Sequence, residues 1–152
     1  MDLFDRKILQ ILQTDSRTSL QDIGQAVGLS SSPCWGRIKK MEEAGVIEGY
    51  TVRLNALALG LGDTVMVQVT LESHSDNTLE KFGETLAAIP EVIEAYLVSG
   101  EYDYLLRVAV RDTKDYERLL RERLYKIKGI RHSMSSFVLR TLKKADLPLL
   151  PG

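Results

Sequence analysis

Between Leu29 and Met41 the chain carries Arg37, Lys39 and Lys40 and no acid, while Asp22, Glu42 and Glu43 stand just outside that window. Cations at this spacing, preceded by the hydroxyls of Ser31 and Ser32, suit contact with a nucleic acid. Lysine and arginine neutralise phosphates, arginine also grips a guanine bidentately, and serine bonds either base edges or phosphates. A Lys/Arg run on a helix is, taken alone, more often a solvated face. Trp35 reads equally as a groove contact or as a packing residue. Gly36 is a poor helix former, costing about 1 kcal/mol against alanine; it either lets a DNA backbone approach or has no role.

No other constellation offers stronger chemistry. Cys34 is the single thiol, and it falls on the inward stripe with Ile38 and Met41, where inert packing is expected rather than nucleophilic attack. His74 and His132 lie far apart and match no metal-ligand spacing. The Glu42-Glu43 pair belongs to a solvated face, and no glycine-rich phosphate loop follows a strand. These absences weigh against an enzyme, the main rival class, and predict no catalytic residue, no metal and no cofactor.

The elements that must position these residues follow from periodicity. Apolar residues at Leu3, Phe4, Ile8, Leu9, Ile11 and Leu12 predict a first helix with Asp2 as N-cap. A second helix is expected from about Ser19 to Val27, with Thr18 and Gln21 resembling a capping box, a face of Leu20, Ile23, Ala26 and Val27, and Gly28 as its stop. A third starts within Ser30–Pro33, where proline is tolerated in a first turn, and runs to about Ala44. Two helices joined by Gly28-Leu29-Ser30 and supported by another match a helix-turn-helix, whose recognition helix presents its N-terminal residues to the major groove. The expected contacts are Ser31, Ser32, Pro33, Trp35, Arg37, Lys39 and Lys40.

After Gly45 the period changes. Residues 46–54 suggest one or two short strands and 55–62 a hinge. Val65, Val67, Val69 and Leu71 alternate as a half-buried strand. Leu79, Phe82, Leu86 and Ile89 stripe a helix closed by Pro90. Two strands over 92–99 and 104–110 flank a tight connection, a helix spans 113–127 with Gly129 as its C′ glycine, and a fourth strand spans 134–142. The order βαββαβ is the ferredoxin-like arrangement. The fold class is therefore α+β in two domains: 1–50 binding DNA, 51–62 a linker strand and hinge, 63–142 the βαββαβ domain, and 143–152 a tail.

With 152 residues, 44% hydrophobic and 27% charged, the chain is ordinarily globular. It has no apolar run of the ~18 residues a membrane helix needs, so no membrane partner is expected. The acidic start differs from a signal peptide, and cytoplasm is the expected location. A net charge of −1 argues against a general polyanion coat.

Several segments, in order, resemble the Lrp/AsnC (feast/famine) family of transcription regulators. They are Asp2-Leu3-Phe4-Asp5-Arg6-Lys7-Ile8-Leu9, Asp15-Ser16-Arg17, Val27-Gly28-Leu29-Ser30, Ser32-Pro33-Cys34-Trp35-Gly36-Arg37-Ile38, Glu43-Ala44-Gly45-Val46-Ile47, Gly49-Tyr50-Thr51, and Val98-Ser99-Gly100-Glu101-Tyr102-Asp103-Tyr104-Leu105-Leu106. The resemblance covers essentially the whole chain. It implies a winged helix-turn-helix, a linking strand, and a C-terminal domain of the RAM type (regulation of amino-acid metabolism). It also implies sheet-mediated homodimers, commonly assembled into octamers, with an amino-acid effector held between dimers.

By that resemblance the effector lies against Ser99, Gly100, Glu101, Tyr102 and Asp103 and near Ser133, Ser135 and Ser136. Gly100, lacking a Cβ, can expose its amide to a carboxylate; Asp103 can accept from an ammonium, and the serines offer hydroxyls. Without the resemblance, Gly100 and Asp103 read as an ordinary hairpin turn. A two-fold dimer predicts a pseudo-palindromic double-stranded site with half-sites about 34 Å apart. A stand-alone sensor that never touches DNA is the second rival, and the first 50 residues argue against it.

Overall fold

The computed structural model describes residues 1–73 and 75–144, apart from the side chains of 76–78. His74 and the tail beyond 144 therefore lie outside the described residues. The chain folds as two compact units, Met1–Arg53 and Leu54–Leu142, with Lys143 and Lys144 grouped with the first. No helix among the described residues is long and apolar enough to cross a membrane.

The first unit holds α1 (Leu3–Thr14), α2 (Leu20–Val27) and α3 (Ser31–Glu43). Asp2 caps α1 reciprocally: the Asp5 amide donates to Asp2 Oδ1 at 3.0 Å and the Asp2 amide to Asp5 Oδ2 at 2.9 Å, satisfying two otherwise orphaned donors. The cap of α2 is Ser19, not Thr18. The Asp22 amide donates to Ser19 Oγ at 3.1 Å, while the Thr18 hydroxyl donates to the Asp15 carbonyl at 2.8 Å and is thus engaged in the preceding turn. Ser30 is the N-cap residue of α3 and makes no side-chain cap bond.

The turn between α2 and α3 depends on two glycines. Gly28 adopts φ 79°, the left-handed conformation that reverses the chain. Gly24 lies on the inner side of α2, where a Cβ would stand 2.5 Å from the Leu29 carbonyl oxygen; the turn packs directly on that helix. Gly24 is accordingly buried while Ala26, expected inside, is exposed. Ile8, Leu9, Ile23, Val27, Cys34, Ile38 and Met41 form the core.

The strands expected over residues 46–54 are not formed. The amides of Val46 and Ile47 donate back to the Met41 carbonyl at 2.9 and 3.1 Å, closing the end of α3. Beyond them Tyr50, Val52 and Leu54 are exposed, with no strand among the described residues paired to them. The alternation is present, but a strand also needs a neighbour to bond. A single 3-10 turn, Leu57–Leu59, follows.

The second unit is a four-stranded antiparallel sheet ordered β2-β3-β1-β4. In chain order it comprises β1 (Asp63–Leu71), α4 (Asp76–Ala87), β2 (Val92–Leu97), β3 (Tyr104–Val110), α5 (Thr113–Glu122) and β4 (Ile130–Phe137). Val65, Val67, Val69 and Leu71 pack with Leu106, Val108, Phe82, Leu86, Tyr116 and Leu119 to form the core beneath the helices. Two boundaries differ from those expected. α5 stops at Glu122 because Arg123 leaves helical geometry (φ −124°, ψ −66°), and a 3-10 turn, Leu124–Lys126, carries the apolar stripe onward. β4 begins at Ile130, opposite Leu71, and ends at Phe137, so it lies earlier than its sequence pattern suggested.

Candidate DNA interface and effector loop

At about 100° per residue, the buried Cys34, Ile38 and Met41 fix which side of α3 faces the core. The opposite arc carries Ser32, Gly36, Lys39 and Glu43, flanked by Ser31 and Trp35 on one side and Pro33 and Lys40 on the other. Trp35 is 54% exposed and lies outside the buried core of this unit. A Cβ on Gly36 would meet nothing within 4 Å. Among the described residues nothing therefore requires a glycine there.

The three cations of the helix are placed differently from one another. Arg37 Nη1 donates to Asp2 Oδ2 and to Asp5 Oδ1, each at 2.7 Å, and its guanidinium carbon lies 5.3 Å from the Phe4 ring centroid. These bonds hold the Arg37 pKa above its ordinary value. The Asp5 amide, followed by the arginine, holds the Asp2 carboxyl below its ordinary value. Arg37, expected to grip a guanine or a phosphate, is thus turned onto α1 by the acids that cap that helix. Lys39 Nζ donates to Glu42 Oε2 at 2.6 Å, and the Tyr50 hydroxyl donates to the other oxygen of that carboxylate at 2.9 Å. Only Lys40 of the three lacks an ion pair among the described residues. A hollow of about 650 Å³ beside it is lined by Asp2, Asp5, Pro33, Gly36, Arg37 and Lys40, among others.

The connection between β2 and β3 brings Ser99, Gly100, Glu101, Tyr102 and Asp103 together, with Gly100 at φ 134° and open space around it. The geometry changes the reading of Asp103. Its Oδ2 accepts from the Leu71 amide at 2.7 Å, its own amide donates to the Val69 carbonyl at 2.9 Å, and its carbonyl accepts from the Val98 amide at 2.9 Å. The carboxylate expected to meet an ammonium thus fastens the end of β1 to the start of β3. The three serines do not share a face. Ser133 and Ser135 stand opposite Val69 and Val67, on the helix-covered side, whereas Ser136 stands opposite Met66 on the other. The Ser135 hydroxyl lies 2.5 Å from that of Tyr116 on α5, and burial raises the Tyr116 phenol pKa.

Residues 64–148 match the family model of the Lrp/AsnC ligand binding domain, and residues 1–48 match a winged helix-turn-helix DNA-binding model. The chain belongs to the Lrp/AsnC family. Among its relatives is the DNA-binding transcriptional activator DecR of Escherichia coli K12, 36% identical over 98% of this chain and 99% of that protein. Another is the leucine-responsive regulatory protein of Klebsiella pneumoniae, 36% identical over 96% of this chain and 89% of that one. Among solved structures, this Lrp/AsnC chain superposes on an AsnC family regulator from Agrobacterium tumefaciens with a TM-score of 0.93 and 43% identity, covering 98% and 97% of the two chains. A transcriptional regulator of Neisseria meningitidis, solved as its L-Met complex, gives 0.92 and 32% with the same coverage. This Lrp/AsnC protein is a transcription regulator with a DNA-binding winged helix-turn-helix and a ligand-binding domain, and the relatives named above are regulators rather than enzymes.

Proposed function

We propose that this chain regulates genes of amino-acid metabolism as a cytoplasmic homo-oligomer, reading a pseudo-palindromic operator through the outer face of α3 and responding to an amino acid held between dimers. The observation that carries the reading is the composition of that face. Ser31, Ser32, Trp35 and Lys40 are exposed on a helix whose other side is fixed by a buried core. Ser32 and Trp35 would meet base edges, Lys40 a phosphate, and Lys39 a second phosphate once it exchanges Glu42. Arg37 enters as a positioning residue that ties α3 to α1. On the effector side, Gly100 and its exposed neighbours Ser99 and Glu101 supply the ligand contacts, with Asp103 and Ser135 shaping the loop and strand around them. The L-Met complex of the N. meningitidis regulator supports an amino acid as the ligand class.

The test is retardation of DNA from upstream of the protein's own gene. Ser32→Glu places an anion against the phosphates and is expected to weaken binding at least 100-fold, about 2.8 kcal/mol. The melting temperature should stay unchanged, because the site is exposed. Equal retardation by the variant would remove α3 as the reading helix. A thermal-shift screen against the twenty amino acids, methionine and leucine included, tests the effector, since a ligand that binds only the folded state raises its stability. No shift with any of them would sink the amino-acid reading.

A further inference from the structure

The charges of this chain are segregated. Residues 1–53 hold seven Lys/Arg and seven Asp/Glu, residues 54–122 hold six and thirteen, and residues 123–145 hold seven and none. The helix-turn-helix unit therefore carries no net charge, and two of the three cations on its reading helix are neutralised internally by Asp2, Asp5 and Glu42. Binding to a duplex depends largely on cations that displace its condensed counterions. Five of the seven cations of the acid-free stretch, Arg123 to Arg140, lie in the other unit.

They are placed where they can act together. The 3-10 turn Leu124–Lys126, the turn after it and the first residues of β4 carry Lys126, Lys128, Arg131 and His132, all exposed, with Tyr125 exposed to 65% among them. Lys126, Lys128 and Arg131 have no side-chain partner among the described residues, whereas the arginines just before them are engaged. Arg121 pairs with Glu117 at 2.9 Å and Arg123 Nε approaches Glu91 at 3.6 Å. Arg131 on an edge strand also discourages edge-to-edge pairing, but Lys126 and Lys128 precede the strand and gain nothing from that role.

We infer that the α5–β4 connection is a second polyanion-binding surface, holding the sugar-phosphate backbone of duplex DNA that flanks the operator. The inference rests on the reading of α3 as the sequence-specific contact, to which it adds an electrostatic one. Phosphate is the ligand because three cations without an ion pair among the described residues offer concentrated charge beside one exposed aromatic. A lipid surface fits less well: membrane-binding cations accompany an amphipathic helix with a bulky apolar face, and here they sit on a one-turn 3-10 segment and a strand end.

The experiment compares full-length protein with Lys126→Gln/Lys128→Gln/Arg131→Gln on two duplexes. One is trimmed to the two half-sites of the upstream operator, and the other carries about 20 bp, two helical turns, of further sequence on each side. Each phosphate left without its cation lowers the slope of log affinity against log salt by about 0.9. The triple variant should therefore have a slope shallower by about 2 to 3 per protomer on the extended duplex and unchanged on the trimmed one. The charge-keeping Lys126→Arg/Lys128→Arg/Arg131→Lys should behave as wild type. Hydroxyl-radical protection of the flanks by the wild-type protein checks the same point without any variant. Equal slopes on the extended duplex, or unprotected flanks, overturn the inference. So does an equal reduction on both duplexes. Charge-dependent binding to phosphatidylserine vesicles with DNA slopes unchanged overturns it too, and assigns the surface to membranes instead. Ser32→Glu separates the two readings: if it binds the trimmed duplex like wild type, the assignment of α3 fails while the slope comparison still stands.

Discussion

The two units treat charge in different ways. In the helix-turn-helix, ionic contacts run from side chain to side chain near the surface: Arg37 to Asp2 and Asp5, Lys39 to Glu42. The acids of α1 also cap that helix through main-chain amides, but in the sheet unit the key carboxylates tie separate strands together or lie buried. Asp103 takes the Leu71 amide. Asp115, 8% exposed, takes the Arg111 amide at 3.1 Å along with the guanidinium groups of Arg111 and Arg118. Exposed pairs contribute little and exchange readily, whereas a buried carboxylate bonded to backbone amides belongs to the fold. The DNA-binding unit thus keeps its ion pairs available for exchange with phosphate, while the sensor's acids serve chiefly to define its shape.

Asp115 puts that contrast to its most severe trial. Asp115→Asn should destabilise the sheet unit by about 2 kcal/mol, the scale of a hydrogen bond to a charged group. Near-UV tyrosine signals would report this, since five of the six tyrosines lie in that unit. The fluorescence of Trp35, the single tryptophan, follows the other unit and should be little altered. The two arginines, and then the Arg111 amide, hold the Asp115 carboxyl far below the usual range. A pKa depressed by folding stabilises the native state above the unfolded value, near 3.9, and this contribution fades as pH falls through the folded value. The gap between wild type and variant should thus be constant from pH 7 to about 5 and shrink below about pH 4. A gap that persists undiminished at pH 2 would refute ionisation as its source.

Asp103 should give the next largest effect. Asp103→Ala leaves the Leu71 amide without its acceptor and should cost about 1 to 2 kcal/mol, again in the tyrosine signals. Asp103→Asn keeps an acceptor oxygen and should recover most of that stability. Effector response then decides between roles: if Asp103→Asn restores both stability and the amino-acid thermal shift, the residue shapes the loop. If stability returns without the shift, the negative charge itself meets the ligand.

How much of this was legible depended on whether a pattern or a partner carried the information. The inward stripe Cys34, Ile38, Met41 and the alternation of Val65, Val67, Val69 and Leu71 follow from helix and strand periods alone, and both hold in the structure. The strand β1 followed from alternation, but residues 50–54 alternate as well and form no strand, because pairing is a property of two segments. The end of α5 was hidden because the apolar stripe continues through the 3-10 turn. For the site, residue types pointed to Arg37 and Asp103 but could not show what each one touches. The partners of Arg37 lie 35 and 32 residues away and that of Asp103 lies 32 away, and no local spacing encodes such contacts. Ser133 and Ser135 share one side of β4 and Ser136 takes the other, because neighbours at odd spacing face opposite sides of a sheet.

The smallest effect tests the most exposed contact. Arg37→Ala, and separately Asp2→Asn/Asp5→Asn, should each lower the melting temperature of the first unit only slightly, as exposed ion pairs do, followed by Trp35 fluorescence. Asparagine is as good an N-cap as aspartate, so the second variant removes charge while keeping the cap of α1. Combining the two should cost no more than either alone, since they break the same contacts. DNA binding then tells positioning from direct contact. If Arg37 orients α3 by staying on α1, neutralising the two aspartates loosens the helix and weakens binding less than about tenfold, with no change in salt slope. If the arginine instead leaves the aspartates for a phosphate in the complex, removing those competitors strengthens binding. A tighter complex for Asp2→Asn/Asp5→Asn would therefore show that the acids of α1 act as a latch on a DNA-contacting arginine. The contrast between exchangeable and fold-defining charges would then extend to the recognition helix itself.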